Sequence, residues 1–193
     1  MALLAKRLVT RRLALYLTLA SILGLSLFGI YGNTPPAIGQ QADRISVVKA
    51  QFDAINAGDV EGATSQFASN AVWVAGRGQE ACSLPTPCTD VAGIRKQIQG
   101  NVDVHSCYKL LWLQVSGAVV TGERQVTQDT NLANGVDHIL VDFIAVVPQD
   151  KITYIAHVQN VADPATALNQ AITAGTQPAG TPISGPATPC GPA

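Results

Sequence analysis

The sequence predicts an α+β domain in which three N-terminal helices pack on a mostly antiparallel sheet. Three observations predict it. Residues 47–74, VVKAQFDAINAGDVEGATSQFASNAVWV, compress two amphipathic helical patterns, a polar break and a strand into one run. From about residue 106 the apolar spacing changes from helical to alternating. Turn residues then cut that alternation into hairpins.

The chain opens on a segment that is not part of this domain. Lys6, Arg7, Arg11 and Arg12 precede a charge-free, Leu-rich run at 13–32, and the next charged residue is Asp43. Basic residues stay on the cytoplasmic side, so the chain beyond the apolar run is delivered outside. The apolar run approaches the ~20 residues that span a bilayer, while Ala37-Ile38-Gly39 offers a small-x-small cleavage pattern before Gln40. Residues 1–33 therefore fit both a cleaved signal peptide and an uncleaved transmembrane signal-anchor. Residues 34–42, with two prolines, read as a linker.

The domain is expected over 43–163. Ile45, Val48, Phe52 and Ile55 are spaced three, four and three apart and form one helical stripe. Gly58 can close that helix, and Asp59 can cap the next. Val60, Ala63 and Phe67 line the second helix, which Ser69-Asn70 is expected to end before a strand at 71–74. A loop with Gly76, Gly78, Pro85 and Pro87 comes next. Thr89 is the expected cap of a third helix with Val91, Ile94 and Ile98 on its apolar face and Gly100 near its end. Strands are expected at 106–115, 119–127, 136–147 and 152–161, with turns at 116–118, 131–135 and 148–151. Residues 164–193 are rich in Pro, Gly, Thr and Ala and read as a disordered or loosely docked tail, in which 165–174 could form a weak helix.

Composition excludes some functions. A chain of 193 residues suits one domain with added ends. Only 13% of residues are charged and the net charge is -1, which gives no footprint for nucleic acid. Cys82 and Cys88 bracket a stiff Ser-Leu-Pro-Thr-Pro loop, and in an oxidising compartment a disulfide is expected between them. Two thiols without a nearby His make only half a zinc site, so no metal is expected. Cys107 and Cys190 are left open, paired or free. No phosphate loop, nucleophile elbow or flavin fingerprint occurs, and no cofactor is expected.

The order of elements resembles the NTF2-like superfamily, in particular its SnoaL-like members. The resemblance rests on FDAINAGDVEGATSQFASNAVWV, CTDVAGIRKQI and FIAVVPQDKITYIAHV. It implies a cone with the helices on a curved sheet and a pocket between them. That scaffold hosts isomerases, dehydratases, epoxide hydrolases, cyclases and non-catalytic modules, so it does not name an activity.

Strand parity says which residues face the pocket. Ile139, Val141, Phe143, Ala145 and Val147 form an apolar face, opposite His138, Leu140, Asp142, Ile144 and Val146. Registration on steroid-isomerase-like relatives places Phe143 where they carry an oxyanion-binding carboxylic acid, and points Thr153, Ile155, His157 and Gln159 inward. The departure at Phe143 removes that mechanism's electrophile. His157 is then the candidate catalytic residue, as general base or ligand hydrogen-bond partner, with a buried, internally satisfied His as the alternative. The expected pocket is Trp73, Arg77, Val141, Phe143, Ala145, Ile155 and His157. Trp73 and Arg77 read either as an aromatic and cationic mouth or as a core anchor and a solvated charge. Glu80 follows them into the cysteine loop. His105 reads as solvated, and Glu123 and Arg124, adjacent on a strand, must face opposite sides.

These residues predict an exported or membrane-anchored, extracytoplasmic domain that binds a small, mostly apolar molecule. One alternative is a lyase, isomerase or hydrolase using His157 with Arg77, Glu80 or Glu123. The other is an interaction module forming a homodimer through the outer sheet face, with Tyr108, Trp112 and His138.

Overall fold

The computed structural model describes residues 38–75, 81–183 and 190–193. The N-terminal segment, and with it the signal or anchor expectation, lies outside the described residues. Among the described residues no helix is long and apolar enough to cross a membrane.

The architecture is the expected α+β cone. Helix α1 (Ile38–Asn56) buries Val48, Phe52 and Ile55, the stripe its spacing predicts. Gly58 takes φ 73° to end it, and Asp59 caps α2 (Val60–Ser65) by accepting from Gly62 N at 2.8 Å. Strand β1 (Phe67–Val74) starts earlier than expected. Ser69 and Asn70 do not end a helix; they lie in an irregularity between Phe67 and Val72, where β1 shifts register on its partner. Helix α3 (Val91–Asp103) is capped by Asp90 rather than Thr89, through Gly93 N at 2.7 Å, and ends three residues beyond Gly100.

Strands β2 (Cys107–Ser116), β3 (Val119–Thr127), β4 (Ile139–Val146) and β5 (Ile152–Gln159) complete a sheet of order β1-β5-β4-β3-β2. Only β1 and β5 run parallel. A short helix α4 (Asp129–Ala133) occupies the start of the expected 131–135 turn region. One departure matters for the interior. The pairing of β2 with β3 shifts between Leu110 and Trp112, leaving Leu111 without a partner in the ladder. An extra residue reverses the parity beyond it, so Tyr108 points into the core while Trp112 is 47% exposed on the outer face.

The tail departs furthest from expectation. Asp163 caps α5 (Pro164–Thr173), accepting from Thr166 N at 2.7 Å, with Pro164 at the first turn where its missing N–H costs nothing. Beyond it the backbone returns along the region of α4, with Gly180 N donating to Asn134 O and Ile183 N to Leu132 O, both at 2.9 Å. Cys190 is disulfide-bonded to Cys107, and Cys82 to Cys88. Asn56 Nδ2 donates to Gly191 O, and Ala193 N donates to Asp53 Oδ1 at 2.6 Å. The described parts of the segment read as disordered or loosely docked, 164–183 and 190–193, are held by a helix, hydrogen bonds and a covalent link at Cys190.

The core lies between α1, α3 and the inner sheet face. Phe52 meets Tyr108 and Phe143 edge-on, at 5.5 and 5.2 Å between centroids. The Cys82–Cys88 loop docks on β1 through two backbone bonds between Trp73 and Cys88, which fixes Trp73 in the interior.

Candidate functional site

Alternation on three strands aims a set of residues into one end of the cone. Gly122, Arg124 and Val126 of β3, Ile139 and Val141 of β4, and His157 of β5 are all buried on the inner face. Phe143 stands opposite His157 in the ladder, and Arg124 opposite Val141. At this end the strands are covered by α4 and α5 instead of α1, and a cavity of about 680 Å³ remains between them. This is the size range of small-molecule sites.

Its floor is polar. Arg124 is 4% exposed and His157 5% exposed. Both imidazole nitrogens of His157, and Nε and Nη1 of Arg124, are buried without a hydrogen-bond partner. The Arg124 guanidinium lies over the rings of Phe52 and Tyr108, at 4.5 and 4.1 Å from their centroids. Burial pulls its pKa down, opposed by Tyr108, but a guanidinium keeps its proton at neutral pH. Burial, and then the nearby Arg124 charge, push the His157 pKa well below its ordinary value. The imidazole is therefore neutral, with one donor and one acceptor nitrogen. Burial also raises the Tyr108 pKa, against Arg124 and a hydrogen bond with Ser106, so its hydroxyl stays protonated.

The walls grade outward. Val126, Ile139, Val141 and Ile172 give an apolar belt, and Gln128, Asn134, Gln170 and Thr173 a more exposed amide and hydroxyl rim. Asn131 Nδ2 and Asn169 Oδ1, also in the wall, are buried without a partner. Among the described lining residues there is no Asp, Glu or Lys.

The residues expected at the pocket divide into three groups. His157 and Val141 line the cavity. Trp73, Phe143, Ala145 and Ile155 are buried beneath it as core, with Trp73 5.1 Å from His157 between ring centroids. Arg77, like Glu80, lies outside the described residues. Glu123 faces away, accepting from Asn160 Nδ2 at 2.8 Å beside Asp142 on the outer face. His105 is solvent-facing beside Asp129, and His138 sits by Asp137 and Asp163, away from the cavity. The pocket residues that sequence reasoning missed include Arg124 and Val126 of β3, Tyr108, and the side chains in and beside α4 and α5. For Arg124 and Val126 a signal existed, since they share parity with Val120; the bulge concealed Tyr108, and the turn and tail readings concealed α4 and α5.

No family model matches the chain, and no curated protein matches it in sequence. Solved structures do. IdmH from Streptomyces antibioticus, a candidate polyketide cyclase, is 13% identical, covering 66% of this chain and 98% of its own, with a TM-score of 0.52. An LEH-like epoxide hydrolase from M. tuberculosis is 15% identical over 69% and 94%, with a TM-score of 0.51. A candidate ketosteroid isomerase from Kribbella flavida is 12% identical over 62% and 78%, with a TM-score of 0.50. At such identities the likeness shows the fold alone, and that fold is NTF2-like.

Proposed function

We propose that this NTF2-like domain is an extracytoplasmic small-molecule-binding module whose mostly apolar ligand enters the cone and meets His157 and Arg124. One observation carries the reading: buried polar atoms at the floor of the 680 Å³ cavity have no partner within the protein. Such atoms cost about 1–3 kcal/mol each when left without a partner, and a ligand whose polar end reaches some of them would offset part of that cost. Export, with the N-terminal segment as signal peptide or membrane anchor, is supported by the basic flank of its apolar run and by two disulfides, which suit an oxidising compartment.

Binding is favoured over catalysis by the same chemistry. A histidine whose pKa is held far below neutrality is in its basic form but a weak base, and general-base catalysis works best with a pKa near the operating pH. On the registration read from the sequence, Phe143 stands where steroid-isomerase-like relatives carry their acid, and no carboxylate lines the cavity among the described residues. A fragment screen read by amide chemical shifts should perturb β3, β4, β5 and α5 together. Hits confined to the outer face would exclude the cavity as the binding site. If His157→Ala changed neither affinity nor turnover, His157 would lose its role.

A second reading is a homodimer through the sheet, favoured by Trp112, Ile144 and Val158 exposed on the outer face. Tyr108 does not belong to that face. Trp112→Glu should then yield monomers in sedimentation, and persistent dimers would exclude the face.

A further inference from the structure

We propose that the ligand is a monocarboxylate, its carboxylate seated against Arg124 at the floor of the cavity. This rests on the small-molecule reading above and adds the chemical class.

The protein supplies its own control. Arg44 and Arg124 are both buried, at 9% and 4% exposure. Arg44 donates from Nε to Val147 O at 3.0 Å and from Nη1 to Gly117 O at 2.7 Å, tying α1 to the strand ends. In Arg124 the same two atoms have no acceptor, and among the described residues no carboxylate pairs with it. Phe52 and Tyr108 offset part of the desolvation, but ring faces do not satisfy these N–H groups. A buried cation without hydrogen bonds or counter-charge is costly. An anion that brings acceptors provides both.

The surroundings choose among anions. Arg124 is the single cation among the described lining residues, which suits one negative charge and leaves a dianionic phosphate half compensated. A planar carboxylate also matches guanidinium geometry. His157, whose two ring nitrogens also lack partners, lines the same cavity and adds a neutral polar group to it. The belt of Val126, Val141 and Ile172 accepts an aliphatic or aryl body, and the carboxamide rim accepts a hydroxyl or amide at the outer end.

The test is calorimetry on the unreduced full chain at pH 7 with a matched pair, 4-phenylbutyrate and its neutral amide. The expected result is at least tenfold tighter binding of the acid, a preference that Arg124→Met abolishes and Arg124→Lys keeps in part. In the wild type the Arg124 Nε–H resonance should move with the acid and not with the amide, a readout that survives if R124M fails to fold. If acid and amide bind equally, the carboxylate assignment is wrong and the cavity reading stands. If neither binds at millimolar concentration, both are wrong.

Discussion

Arg44 and Arg124 bring the same side chain into the same interior, and only Arg44 has backbone acceptors for its Nε and Nη1. Their replacements should therefore diverge. Arg44→Met leaves two carbonyls without a donor and should lower unfolding free energy by about 2–4 kcal/mol. Arg124→Met removes an uncompensated charge and should leave the ligand-free protein unchanged or up to about 2 kcal/mol more stable in urea titrations; a loss as large as that of R44M would give Arg124 a structural role. His157 makes a pH prediction. Its pKa is depressed in the fold and near 6.5 when unfolded, so below pH 6.5 the unfolded chain takes up a proton first. This contribution to stability is complete above pH 6.5 and declines as pH falls, by at most about 1.4 kcal/mol per pH unit. His157→Gln should flatten the stability profile between pH 6.5 and 5, and an unchanged slope would place the titration elsewhere. The inward aim of His157 was legible from the family registration together with alternation, because β5 is regular around it. That of Tyr108 was not, because one unpaired residue, Leu111, carries no mark in sequence.

At the scale of elements, β3 can cross the cone only because Gly122 has no side chain. A Cβ there would come within 2.6 Å of Trp112 O and 2.8 Å of Phe143 Cζ. Gly122→Ala should cost about 1–3 kcal/mol through overpacking, read as a lower urea midpoint with unchanged slope; a neutral substitution would mean the β2–β3 ladder yields easily. The helices were legible because their apolar stripes meet one core. Helix α5 was less so. Its sequence is short of large apolar residues, and it is placed by a cap on Asp163 and by Thr166, whose hydroxyl accepts from Leu140 N at 2.7 Å. Such a helix reads as a tail until the strand it binds is known, and with it went the side of the cavity wall formed by Asn169, Gln170, Ile172 and Thr173.

For the molecule as a whole, the Cys107–Cys190 bond closes a loop of 83 residues in sequence separation and fastens the tail beside α1. Cys190→Ser should lower stability by about 2–4 kcal/mol, measured against a wild type kept oxidised; a change under about 0.5 kcal/mol would mean the hydrogen bonds of Gly191 and Ala193 suffice without it. The fold class was legible because helical spacing, hairpin turns and strand parity agree over most of the domain, the β1 start and the β2 bulge excepted. The site was legible only in part, since a cavity depends on what covers the sheet, and here the covering elements are α4 and α5. Whether the cavity holds a carboxylate ligand is decided by native mass spectrometry of the unreduced protein, purified from the cells that make it. The expected result is a reproducible added mass of a few hundred daltons, lost on denaturation and absent from R124M, within the size a site of this volume holds. A bare mass for the wild type, unchanged after incubation with a carboxylic-acid library, would contradict ligand binding at Arg124.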